Sequence, residues 1–157
     1  MENEIFYMRK ALELAKKAGE IGEVPIGAAV VRKSTGEIIG TGYNRRECDK
    51  SPLAHAEIIA INEASKTLGG WRLIDCEIYV TLEPCPMCTG AIINSRLERV
   101  IYGASDTKAG SCGSVVNLFD FPYNHIPEIT SGVLHDECAE ILSDFFKSLR
   151  KNKKQKA

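Results

Sequence analysis

Apolar residues recur at helical spacing over residues 4–18, and Gly19 ends the pattern. The next apolar stretch, from 25 to 32, is continuous and reads as a strand. Ser34-Thr35-Gly36-Glu37 makes a turn, and 38–43 reads as its hairpin partner. The helical period returns over 53–68 and is closed by Gly69-Gly70. A buried strand over 77–82 leads to a third helix over 86–95 with proline in its first turn. A strand over 99–103, a Gly-rich loop over 106–114 and a last helix over 134–151 follow. The order α-β-β-α-β-α-β-loop-α predicts a layered α/β domain around one sheet, made mixed by the opening hairpin.

The 157 residues suffice for one domain with a real core, and 44% hydrophobic with 26% charged residues is the balance of a soluble globular chain. The first residues carry acids and no long apolar run, so they do not read as a signal peptide. The densest apolar stretch of the first half, 26–31, is far too short to span a bilayer, and the cytoplasm is the expected location. A net charge of −1 hides an asymmetry: residues 1–144 hold 14 basic against 21 acidic residues, whereas 145–157 hold six basic residues and no acid. The chain therefore reads as a single domain over 1–150 with a basic tail over 151–157. Such a tail suits an anionic partner such as nucleic acid, or serves only as a frayed, solubilising end. Of the six cysteines, expected to stay reduced, only Cys85 and Cys88 have metal-ligand spacing.

The candidate chemistry lies in two short motifs, His55-Ala56-Glu57 at the start of the second helix and Pro84-Cys85-Pro86-Met87-Cys88 at the start of the third. A helix remnant, a turn and a strand separate them, which allows both helix starts to meet at one end of the sheet. Two thiolates and one imidazole leave a tetrahedral zinc one open position for water. The helix N-terminus favours thiolates at Cys85 and Cys88. Glu57, offset by two residues from His55, is placed to serve as the proton shuttle, taking a proton from water and returning it to a ring nitrogen and a departing amine. His-x-Glu followed by Pro-Cys-x-x-Cys is the signature of zinc-dependent nucleobase deamination. A structural zinc site needs a fourth ligand, for which Cys76 is the one candidate, and redox chemistry at the cysteine pair leaves His55 and Glu57 without a role. Iron fits the same ligand set less well than zinc.

Beyond these motifs, Glu23-Val24-Pro25-Ile26-Gly27-Ala28, Gly42-Tyr43-Asn44-Arg45, Trp71-Arg72-Leu73, the stretch 79–88, the loop 102–110, Asn124-His125 and Ser143-Asp144-Phe145-Phe146 resemble the bacterial tRNA adenosine deaminases of the TadA type, over about residues 4–154. The resemblance implies a three-layer α/β/α cytidine deaminase-like fold with a five-stranded mixed sheet, one zinc per subunit and a homodimer. It implies hydrolytic deamination of the wobble adenosine of a tRNA anticodon to inosine, a zinc-bound hydroxide attacking adenine C6 with Glu57 as shuttle. The zinc motifs are shared with guanine and other free-base or nucleotide deaminases, the alternative reading. Carried over residue by residue, Asn44 hydrogen-bonds the flipped base and Asp106 contacts ribose. Lys108 and Arg72 contact phosphates, one of Phe145 and Phe146 (Phe145 is the one assigned) stacks near the anticodon loop, and Arg150 with the lysines after it adds phosphate attraction. The expected partners are the tRNA anticodon stem-loop and a second subunit, with neither membrane nor DNA. His125 and His135 are not needed as ligands, and Trp71 reads as a packing anchor.

Overall fold

The computed structural model describes residues 2–156. Its elements are α1 (Glu2–Glu20), β1 (Gly27–Arg32), β2 (Ile38–Tyr43), α2 (Ala56–Leu68), β3 (Cys76–Leu82), α3 (Pro86–Asn94), β4 (Arg99–Ala104), β5 (Glu128–Ser131) and α4 (His135–Lys156), with a short 3₁₀ turn at Leu118–Asp120. The five strands form one sheet in the order β2-β1-β3-β4-β5. β1 is antiparallel to both β2 and β3, while β3, β4 and β5 run parallel, so the sheet is mixed as expected.

Alternation along the central strands builds two cores. Val30, Ile78, Val80 and Val100 point to the face covered by α2 and α3, where they meet Ala56, Ala60, Ala64 and Ile92. Tyr79 and Ile101 point to the opposite face and, with Ala104 at the strand end, meet Met8, Ala11, Leu12 and Cys138 of α1 and α4. The result is a helix–sheet–helix sandwich. α2 lies directly on β2 because that strand has glycine where the two backbones meet: a Cβ on Gly42 would run into the Ala56 carbonyl oxygen and the Ala60 amide.

Two elements differ from the sequence reading. β5 has four residues at the sheet edge, and its Glu-Ile-Thr-Ser run shows no periodicity that could announce it. The last helix does not stop at 151 but continues to Lys156, so the basic segment, apart from Ala157 outside the described residues, extends α4. Among the described residues, no helix is long and apolar enough to cross a membrane.

Candidate active site

Both helix starts reach the C-terminal edge of β3 and β4, where open α/β sheets place their ligands. α2 begins one turn later than its hydrophobic period suggests, at Ala56, and His55 becomes its N-cap. Cys85 occupies the same position on α3, followed by Pro86. Neither side chain caps its helix. Serine or aspartate there would stabilise each helix by about 1 kcal/mol; His55 and Cys85 instead point their ligand atoms at one another.

The Nδ1 atom of His55 lies 3.7 Å from Cys85 Sγ and 3.5 Å from Cys88 Sγ. All three ligand atoms fall within 4.8 Å of one another. A tetrahedral zinc with ordinary Zn–S and Zn–N bonds requires a sulfur–nitrogen edge of about 3.6 Å. Both sulfur–nitrogen edges therefore match those of a bound ion. Cys76, the only candidate for a fourth ligand, is buried at the start of β3 and is not in the cluster. Hydrogen bonding from Cys88 holds the Cys85 thiol low, and the same bond together with burial pushes Cys88 up. His55 is raised by its bond to Cys85. A divalent cation at this cluster favours both thiolates and the neutral imidazole over their protonated forms.

Glu57 is buried beside this cluster, and burial pushes its carboxyl up to about 7. It lines a cleft of about 450 Å³ together with His55 and Cys85. Asn44, directly after β2, is also buried in the cleft wall. Its Nδ2 donates to the Val24 carbonyl at 3.4 Å, whereas its Oδ1 is the buried side-chain atom without a partner among the described residues. Asp106 and Lys108 line the facing wall. Asp106 Oδ1 accepts from the Lys108 and Ala109 amides, which ties the carboxylate to the turn of its own loop.

The remaining sequence candidates are placed differently. Of the two phenylalanines it is Phe146 that lines the cleft, with Phe145 packed edge-on against it, ring centroids 5.4 Å apart. Arg150 is exposed one turn further along α4, outside the cleft lining. Arg72 sits four residues before β3, near the C-terminal end of α3, so the strand and the helix both separate it from the cleft. There its guanidinium lies 4.2 Å over the ring of Trp71, which Arg96 also flanks at 5.6 Å. Trp71 is more than half exposed, so it is not the packing anchor the Gly-Gly turn suggested. His125 hydrogen-bonds the Leu97 carbonyl and His135 sits beside Asp136, both away from the zinc ligands.

Two residues that line the cleft, Arg46 and Glu83, and one outside its lining, Glu23, have no role in the sequence reading. Arg46 lines the rim. Glu23 and Glu83 are each about 2% exposed and spend their carboxylates on backbone amides of the loops that form the cleft walls. Both fall inside segments that carry the family resemblance, but a lone acid next to an apolar strand says nothing by itself of the amides it holds.

A three-layer fold that brings a His/Cys/Cys zinc set to the sheet edge beside a buried carboxylate defines a zinc-dependent deaminase. Residues 1–104 match the cytidine and deoxycytidylate deaminase zinc-binding region, and the chain belongs to that family. It is 51% identical over 155 residues to a tRNA-specific adenosine deaminase of Bacillus subtilis, covering 98% of this chain and 95% of the relative. A protein of the same name from Haemophilus influenzae is 49% identical, with 94% and 85% covered. A solved structure from studies of A-to-I editing by tRNA:A34 deaminases superposes with a TM-score of 0.83 at 44% identity, covering 87% of this chain and 99% of that one. Guanine deaminase from Nitrosomonas europaea also superposes, with a TM-score of 0.74 at 28% identity, covering 88% and 82%.

Proposed function

We propose that this chain hydrolyses the wobble adenosine of a tRNA anticodon to inosine, releasing ammonia. The observation that carries the reading is likeness at 43–51% identity over nearly the whole chain to proteins named for that activity, against 28% for the guanine deaminase that also superposes.

A zinc held by His55, Cys85 and Cys88 supplies the Lewis acidity that makes water nucleophilic near neutral pH. Everything else falls to the chain. Glu57 accepts a proton from the attacking water, delivers it to a ring nitrogen of the purine, then takes the second proton of that water and passes it to the departing amine. Its buried position keeps that proton from exchanging with bulk water. Asn44 Oδ1, an acceptor without a partner, takes a donor from the extruded base. Asp106 contacts the ribose from the facing wall, and Phe146 offers a ring on which a neighbouring base stacks. Arg46 and Lys108 at the rim, with Arg150 and the lysines beyond it on α4, attract the phosphates. The exposed apolar side chains of Leu53, Val115, Tyr123 and Ile126 suit burial in a homodimer, and a tRNA substrate supports a cytoplasmic location.

Inosine formation in a tRNA bearing wobble adenosine, run beside free guanine, adenosine and cytidine, tests the substrate. Inosine in the tRNA with the small molecules untouched is the expected result, and ammonia from guanine alone overturns it. Glu57→Gln separates catalysis from binding: it is expected to keep zinc and RNA affinity while turnover falls by about 10³-fold or more.

A further inference from the structure

Glu83 stands between the end of β3 and the zinc ligand Cys85, and it is almost wholly buried. Its carboxylate gathers four donors from one loop. Oε1 accepts from the Asp106 amide at 3.0 Å and from the Ser114 hydroxyl, and Oε2 accepts from the amides of Cys112 at 3.1 Å and Ser114 at 3.0 Å. The neighbouring backbone continues the attachment: the Ser111 amide donates to the Pro84 carbonyl, and the Glu83 amide to the Ala104 carbonyl. The loop approaches the carboxylate so closely at Gly110 that a Cβ there would collide with Glu83 and with the Asp106 carbonyl. Residues 105–109 of this loop form one wall of the cleft.

We infer that Glu83 is a positioning residue that sets the substrate-facing wall formed by Asp106 and Lys108, and so governs substrate affinity through the loop that its carboxylate holds. The inference rests on the proposed activity for its kinetic readout. Two carboxylate oxygens accept all four donors only while both are acceptors. In glutamine one of them is an NH₂ group that faces donors, so part of the fan breaks and the wall loses its register. Its carboxylate partners are Asp106, Cys112 and Ser114, none of them a member of the cluster of His55, Cys85 and Cys88, so the substitution leaves the metal set in place.

The wild-type chain is first assayed on an anticodon stem-loop RNA carrying wobble adenosine; failure there rejects the activity and not the loop architecture. Glu83→Gln is then compared with Ser114→Ala, which removes one donor and keeps the carboxylate, and with Gly110→Ala, which crowds it. Three quantities are read: bound zinc, kcat and KM separately, and amide exchange. Glu83→Gln is expected to hold one zinc per chain and to raise KM about tenfold or more, with kcat changed by less than about threefold. Ser114→Ala and Gly110→Ala should shift KM in the same direction. A merely destabilised protein loses active molecules and lowers apparent kcat at constant KM, so the split distinguishes positioning from general structural damage. The amides of Asp106, Cys112 and Ser114 should lose exchange protection in Glu83→Gln while those of β1 and β3 keep theirs, a result that needs no substrate. Unchanged KM with deprotected loop amides overturns the inference, as does unchanged protection. Loss of zinc with a collapse of kcat at constant KM also overturns it, by placing the effect of Glu83 on the metal. If Glu83→Gln does not fold, unchanged KM in both loop variants overturns it equally.

Discussion

Asn44 Oδ1 is buried and unpartnered, and an acceptor in that state costs about 1–3 kcal/mol until a donor arrives. Substrate binding relieves the cost, which makes the residue discriminating. Asn44→Ala should lower kcat/KM by about 10²-fold or more while the melting temperature stays within a few degrees of wild type. Steady-state kinetics and a thermal scan of the same preparation check both halves. Glu23 illustrates a different use of a buried acid. Burial raises its pKa, but amide hydrogen bonds from Cys48 and Glu47 and the nearby Arg45 outweigh this and leave it below its ordinary value of 4.5. A group whose folded pKa is depressed stabilises the fold above its unfolded pKa, and that contribution fades as pH falls through the folded value. The stability gap between wild type and Glu23→Gln should thus be full above about pH 5 and shrink as pH drops below 4.5. A gap that stays constant from pH 6 to about 3 would falsify this assignment. These roles were not legible in the sequence. Glu23 and Glu83 act through amides 23 to 31 residues away, and no local pattern encodes such a partner. The zinc ligands were legible because their spacing is itself the requirement of the ion.

At the scale of elements, the same division holds. The strongly periodic helices and the apolar strands β1 and β3 announce themselves, since burial on a face dictates their pattern. β5 does not: it pairs only through β4, from Arg99 opposite Glu128 to Tyr102 opposite Ser131, and its existence depends on a neighbour 29 residues earlier. α2 starts one turn later than its apolar period indicates, because that period continues backward through Leu53 into the loop, whereas the chain turns at His55. That turn matters, since a helical His55 would carry its ring around the α2 surface instead of into the cleft. α2 is held in place by its seat on the glycines of β2. Gly42→Ala pushes a methyl against the α2 backbone and should destabilise the fold by about 1–3 kcal/mol, with a loss of zinc affinity because His55 moves with its helix. Metal removal should act on the same joint. An ion present at about 1,000 times its dissociation constant adds about 4 kcal/mol of stability by linkage. Chelation is therefore expected to lower the melting temperature and to loosen amide protection first at the starts of α2 and α3. Equal loosening at the far ends of these helices would contradict that order.

Across the whole molecule, charge is distributed against the net value. An acidic body carries the cleft, and the helix that supplies Phe146 runs on into a basic end. Because α4 is continuous through this segment, the cations from Lys147 to Lys154 occupy defined directions. Leu142 and Phe146 line the cleft four residues apart, and Arg150 and Lys153 continue the same stripe at helical spacing. Lys151 falls about 180° around the helix from Leu142 and points away. At about 1.5 Å per residue, Lys153 stands roughly 10 Å beyond Phe146, a distance over which an RNA strand leaving the cleft presents further phosphates. A solubilising tail has no preferred face, but one that tracks RNA from the cleft does. Arg150→Glu and Lys153→Glu should each weaken RNA affinity and reduce the slope of log K against log salt by about 0.7–0.9, whereas Lys151→Glu should do markedly less. Titrations of the anticodon stem-loop at several salt concentrations decide the matter. Equal losses at all three positions would mean that the basic end acts only as a diffuse cloud of charge, and no loss at any of them would confine RNA binding to the cleft and its rim.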